Sequence, residues 1–217
     1  MAFVAALSSS LARSGTMVPM TNLAETDGVT EMTLVVPSPE RLPSYLDAVR
    51  RGWEGERVLF GSNEALLALA AQDPQLVLVQ MQDRSAEGVR YFEDGTIAAR
   101  VPALFRWVWD GEFVGSIELR LPREGEEQVL DEIGHIGYGT VEWKRGRGYA
   151  TKALSLMLAL AIAEGMTDVE LVTDTDNVGS HRVVTNNGGV LVDEFQQVER
   201  LGGGRVFRWR IDLSASV

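Results

Sequence analysis

The spacing of apolar residues changes along the chain, and each change marks a new element. Met32-Thr33-Leu34-Val35-Val36 reads as a short strand, stopped by Pro37 and Pro39. From Glu40 to about Arg51, Leu42, Tyr45, Leu46 and Val49 recur at three and four residues, which predicts an amphipathic helix. Asn63 to Ala71 reads as a second helix, interrupted by Asp73-Pro74. The stretch beyond, through Asp83 to Thr96, carries weak signals and is expected to form a mobile cover. Leu104 to Trp109 and Phe113 to Leu121 are predicted strands joined by Asp110-Gly111, a dipeptide favoured in tight hairpins. Ile133 to Val141 is a third strand of this group.

Tyr149 to Glu164 is apolar almost all round, which predicts a helix buried on most sides and capped by Gly165. Val169 to Thr173 reads as a strand, and Asn177 to Asn186 as a short helix ending in Asn187-Gly188-Gly189. Val190 to Val198 and Val206 to Leu213 form a closing pair of strands. Hairpin, strand, helix, strand, helix and hairpin in that order imply a mixed sheet with helices on its faces, α/β or α+β. Residues 1 to 31 show no period and are expected to be a disordered extension before a single domain over 32 to 217. Their apolar start lacks a basic leading segment, so it does not read as a signal peptide.

Composition removes several kinds of chemistry. With no cysteine among 217 residues, disulfides, thiolate metal sites and cysteine nucleophiles are excluded, which fits a cytoplasmic protein. Two histidines, His135 and His181, are too few for a histidine-rich metal centre, and no metal site is expected. A net charge of -11 argues against sequence-independent nucleic-acid binding and is compatible with a cationic substrate. No apolar run has the length of a membrane span.

One junction carries a chemical signal, Thr140-Val141-Glu142-Trp143-Lys144-Arg145-Gly146-Arg147-Gly148-Tyr149-Ala150. There a strand enters a glycine-bearing loop, and the loop enters a helix N-terminus. The first-turn N–H groups of a helix converge and carry partial positive charge, so an anion is well satisfied there. Gly146 and Gly148 permit close backbone approach, and Arg145 and Arg147 add charge. The loop lacks the Gly-Lys-Ser/Thr ending of a P-loop and the three glycines of a dinucleotide fingerprint. The bland reading is that the two glycines only cap a helix entry.

Arg145-x-x-Gly148-x-Ala150 resembles the pyrophosphate signature of the GNAT superfamily of acyltransferases. Asn177-Val178-Gly179-Ser180, followed by Asn186-Asn187-Gly188-Gly189, resembles the second signature of that family. Gly134-His135-Ile136-Gly137-Tyr138 is similar to a strand of one bacterial branch. Trp143 stands where many relatives carry a proline, in a loop shorter by one residue. The resemblance implies a mostly antiparallel sheet with one splayed strand pair and flanking helices. It implies acetyl-CoA as co-substrate and direct attack by a primary amine of a small molecule or peptide. Arg145, Gly146, Arg147, Gly148, Tyr149 and Ala150 would hold the phosphates. Val141, Glu142 and Trp143 would line the pantetheine path, with Asn177 as a further contact or a helix cap.

Counting along the strand places His135 where histone-acetylating relatives carry a general base, with Glu132, Glu142 and Tyr138 as competitors. The tyrosine that usually protonates the leaving thiolate is replaced by Val184, so Ser180, Tyr149 or water would act instead. His181 is expected on a solvated face, and Trp107 and Trp109 are expected to pack rather than bind. The acidic run from Glu124 to Glu132 is expected to be a solvated loop, and the alternation Arg205, Arg208, Arg210 an exposed strand face. A non-catalytic acyl-CoA-binding module is the alternative function, and a homodimer through the last strands follows by analogy alone.

Overall fold

The larger sheet is built around a hairpin that buries apolar residues on both faces, with Ser116 and Glu118 also on one of them. The computed structural model describes residues 31–85, 87–91, 95–121 and 127–214. Residues 1–30 and 122–126 lie outside it, and with them nearly all of the expected N-terminal extension and the start of the acidic run. β1 (Thr33–Val35) is followed by α1 (Leu42–Arg50), α2 (Arg57–Phe60), α3 (Asn63–Gln72) and α4 (Pro74–Gln82). A small hairpin, β2 (Val89–Tyr91) and β3 (Ile97–Ala99), precedes the central strands β4 (Ala103–Trp109) and β5 (Phe113–Arg120). Next come α5 (Glu127–Ile133), β6 (Ile136–Thr140), α6 (Tyr149–Ala163) and β7 (Asp168–Asp174). α7 (Val178–Thr185), β8 (Val190–Gln196) and β9 (Arg205–Asp212) complete the chain.

Beside the β2-β3 hairpin, the described residues form two larger antiparallel sheets, ordered β1-β4-β5-β6 and β7-β9-β8. Alternation along β4 sends Leu104 and Val108 into one core with α6, and Phe105 and Trp107 into a second with α1 to α4. Tyr45 stacks on Trp107 at 4.9 Å between ring centres, and Phe113 meets both edge-on. Trp107 therefore packs, as expected, and Arg41 lies over the Trp109 ring at 5.6 Å. Among the described residues, no helix is long and apolar enough to cross a membrane.

Four expectations are corrected. The region after Asp73 is not featureless, because Pro74 opens α4 and the Asp73 carboxylate accepts from the Leu76 N–H at 3.0 Å as its cap. α6 buries one face only, through Ala153, Leu154, Met157 and Ala161, while Leu156 is 36% exposed. The C-terminal part of the acidic run is helical rather than a loop. Arg208 and Arg210 do not form a bare solvent face, since both pair with Glu170 on β7, at 2.9 and 2.6 Å.

Candidate functional site

The two sheets meet at one end and part at the other, and the parting makes the site. A bridge joins Gly134 to Leu171, the His135 N–H donates to the Glu170 carbonyl at 2.7 Å, and the Glu170 N–H donates to His135 Nδ1 at 3.0 Å. Beyond this clasp no ladder joins β6 to β7 among the described residues. A cleft of about 520 Å³ opens there, between Tyr138, Gly139 and Thr140 on one side and Asn177 and Ser180 on the other. Its end is closed by the loop that enters α6, including Arg145, Gly146 and Gly148.

Gly146 and Gly148 have left-handed φ values of 76° and 79°, and nothing lies within 4 Å of where a Cβ would stand. Only glycine takes this backbone without strain while leaving the loop surface bare. The first-turn N–H groups of α6 therefore face open space at the cleft, with Arg145 and Arg147 exposed beside them. Arg145 Nε also donates to the Thr140 carbonyl at 3.2 Å, which folds that side chain back over the end of β6.

The loop is held from below by a group that the sequence presents only as a turn residue. Asp110, in the β4–β5 hairpin, accepts from Lys144 Nζ at 2.7 Å and from the Tyr149 hydroxyl at 2.5 Å. Lys144 is buried and also pairs with Glu112 at 2.7 Å. Burial works to raise the Asp110 pKa, but Lys144 and Tyr149 outweigh it and hold the carboxylate below its ordinary range. Burial likewise opposes the charge on Lys144, and its two acidic partners still raise its pKa. Asp110→Ala leaves Lys144 with one partner that is largely exposed. The expected loss of stability is about 2 kcal/mol at pH 7, read from the urea midpoint. The folded pKa of Asp110 is depressed, so its contribution is complete above the unfolded carboxylate pKa and fades as pH falls through the folded one. The two proteins should therefore converge in acid.

The residues singled out from sequence divide into three groups. Arg145, Gly146, Gly148, Tyr149, Ala150, Asn177 and Ser180 all line the cleft. Asn177 caps α7, its Oδ1 accepting from the Ser180 N–H at 3.0 Å, and the Ser180 carbonyl accepts from the Tyr138 hydroxyl at 3.4 Å. Val141, Glu142 and Trp143 are not brought to the cleft. β6 stops at Thr140, and Val141 donates its N–H to the Val114 carbonyl while its own carbonyl accepts from Lys144. Glu142, Trp143 and Lys144 form a short 3-10 turn, and Arg51 stacks on Trp143 with its guanidinium 3.7 Å from the ring centre. The strand residues facing the cleft are Tyr138 to Thr140 instead.

His135 also stays outside the cleft. Its Nδ1 is committed to the clasp, and burial lowers its pKa more than the neighbouring acids raise it. His181 is half-buried against Phe207 and Trp209, at 5.2 and 5.4 Å, rather than on a solvated face. Val184 is fully buried, so no side chain there reaches a ligand.

A second pocket, of about 280 Å³, lies across β6 from the cleft and shares Tyr138 and Gly139 with it. Ser116 and Glu118 on β5 pair with Gly139 and Gly137 on β6, so these four share the face that lines it. Gly139 is required because the Trp53 ring lies where its Cβ would stand, 2.7 Å away. Gly137 makes room in the same way for the Arg120 guanidinium, which pairs with Glu118. Glu56 enters this pocket from the α1–α2 connection. Nothing in the periodicity of Trp53-Glu54-Gly55-Glu56 marks it. Only a carboxylate three residues after a tryptophan, in a glycine-bearing turn, hints at a special position.

Comparison with known proteins bears on this geometry. The family described as acetyltransferase (GNAT) domain matches residues 62–190. No curated protein matches the chain in sequence. Among solved structures, the microcin C7 self-immunity acetyltransferase MccE, in complex with acetyl-CoA and AMP, superposes with a TM-score of 0.56 at 13% identity. That match covers 84% of this chain and 92% of the other. RimL, a ribosomal L7/L12 α-N-protein acetyltransferase in complex with coenzyme A, gives 0.56 at 15% identity, covering 86% and 96%. The ribosomal-protein-S5-alanine acetyltransferase of Vibrio fischeri gives 0.53 at 16%, covering 83% and 91%. These likenesses show the shared fold, and the family match spans more than half of the sequence, including the cleft loop, α6 and the capped α7. The chain belongs to the GNAT family of acetyltransferases.

Proposed function

We propose that the protein transfers an acetyl group from acetyl-CoA to a primary amine of a small molecule or peptide, both substrates being bound together. The observation that carries this reading is the splayed strand pair ending on a bare, left-handed glycine loop at a helix N-terminus. The loop suits a pyrophosphate: it offers convergent N–H donors, open space at Gly146 and Gly148, and two arginines. The cleft beyond suits an extended pantetheine arm. Residues Tyr138 to Thr140 at the parting of the sheets offer it strand backbone, and Asn177 and Ser180 offer polar groups opposite. Bound acetyl-CoA would supply the activated acyl carbon. The chain's own part is to orient that carbon and to deprotonate the amine.

Direct attack agrees with the absence of cysteine, which rules out an acyl-cysteine intermediate. With valine at position 184, the candidates for protonating the leaving thiolate are the Ser180 hydroxyl or water. The Tyr149 hydroxyl is already given to Asp110. Titration calorimetry with acetyl-CoA is expected to give micromolar binding, and an amine panel is expected to release free CoA. Binding without CoA release would favour the acyl-CoA-binding module, and no binding would remove the reading.

A further inference from the structure

We propose that Glu56 is the general base of the transfer, taking a proton from an acceptor ammonium seated in the pocket between the α1–α2 connection and the glycine-bearing face of β6. This rests on the acetyl-transfer reading above and adds to it the side from which the amine arrives. Glu56 is only 3% exposed, and its Oε2 is fixed by the Trp53 indole N–H at 2.5 Å and the Tyr45 hydroxyl at 3.0 Å. Its Oε1 is buried and meets no donor in good hydrogen-bond geometry, although the Ser116 hydroxyl lies near enough to the carboxylate to lower its pKa. A buried polar atom left unpaired is costly, and a ligand donor would satisfy it. The pocket that Glu56 lines meets the cleft at Tyr138 and Gly139 of β6, and on its own face Trp53 and Arg120 fill the space that side chains at Gly139 and Gly137 would take. An amine on Oε1 would have to meet the thioester at Tyr138 and Gly139, the residues that both spaces share.

The proton and bond balance is closed. R–NH₃⁺ gives one proton to the Glu56 carboxylate, and the free amine attacks the acyl carbon. A C–N bond forms and the C–S bond breaks. The nitrogen loses its second proton, and the departing thiolate takes one up. The net release is one proton, returned to solvent when Glu56 ionises again.

The surroundings suit a base working near neutrality. Burial pushes the Glu56 pKa up to about 7, against the Ser116, Trp53 and Tyr45 donors and with help from the Glu118 charge. The charged and titratable groups facing it are Tyr45 from α1 and Glu118 from β5, the latter offset by Arg120.

The test compares CoA release with two probe nucleophiles, n-butylamine and hydroxylamine. The first is protonated at neutral pH, as a lysine side chain is, and needs a base. The second is weakly basic and needs none. Glu56→Gln should lower kcat/KM for butylamine about 100-fold or more, cost hydroxylamine less than about tenfold, and leave acetyl-CoA affinity in the calorimeter unchanged. The wild-type butylamine rate should rise through about pH 7. Tyr45→Phe, which removes a donor to the carboxylate, should move that rise to higher pH. Equal losses with both nucleophiles, no loss with either, or an unshifted Tyr45→Phe profile would overturn the assignment. So would a wild-type protein that binds acetyl-CoA yet releases no CoA to either probe. Failure to bind acetyl-CoA at all is a separate result and overturns the acetyl-transfer reading itself.

Discussion

Gly148→Glu is expected to weaken acetyl-CoA binding about 1,000-fold, enough to erase the calorimetric signal at micromolar protein. Gly148 is the residue immediately before α6, with its Cβ direction open. A glutamate there extends into the space where the phosphates are expected, and covers first-turn donors that otherwise face it. A single like charge about 4 Å away costs about 4 kcal/mol at an effective dielectric of about 20, which corresponds to about 1,000-fold.

The substitution also forces a side chain into left-handed backbone, so a control has to carry the same strain. Gly165→Glu supplies it: Gly165 has φ 85°, an open Cβ direction, and a position just past the other end of α6, about 26 Å away along the axis. Both variants should lose about 1–2 kcal/mol of folding stability from the backbone. Only the first should lose the ligand. Equal affinities in the two variants would mean that the loop is a helix cap and that the phosphates lie elsewhere.

The glycine loop and the capped turn that line the cleft were legible in the sequence because their signals are local. The glycines, the arginines and the start of α6 are contiguous, and Asn177 and Ser180 are three residues apart in one capped turn. Local reading failed where one residue type carries two meanings. Asp73-Pro74 looks in sequence like a break after a helix. It is the cap and first residue of the next one, since proline at the first helical position lacks only an N–H that would go unused. It failed again at α6, whose apolar composition conceals that one face remains partly open. The strand end was misjudged by one residue. Val141 still bonds to β5, yet its backbone has already turned toward the 3-10 segment, so the cleft is lined by Tyr138 to Thr140.

The second pocket was not legible at all. Glu56, Ser116, Glu118 and Gly139 come from three segments, the first and last 83 positions apart, and each alone looks ordinary. Their meaning depends on the β5–β6 register and on the Trp53 ring lying against Gly139. His135 shows the converse case. A histidine at a suggestive count along a strand is spent on the clasp that joins the two sheets.

Glu56 should also leave a mark on stability that needs no substrate. Its folded pKa, about 7, lies above the unfolded value near 4.5, so the native state binds more protons through that interval. The protein is then destabilised as pH rises from about 4.5 to about 7, and carries the full cost above it. A gap of about 2.5 units at 1.36 kcal/mol each amounts to about 3 kcal/mol. Glutamine has nearly the same shape and never ionises, so Glu56→Gln escapes this cost. Its amide N–H₂ finds its own level of hydrogen bonding, and that offset is the same at every pH. Relative to wild type, the variant should therefore gain about 2–3 kcal/mol between pH 5 and pH 8 in urea unfolding. A pH-independent difference would mean that the carboxyl titrates normally, and the argument for a base poised near neutrality would lose its electrostatic support. The expected pattern is a carboxylate that burdens the fold at the pH where it is useful. A group kept for packing alone would be under no such tension, because glutamine would serve the Trp53 and Tyr45 contacts without the charge.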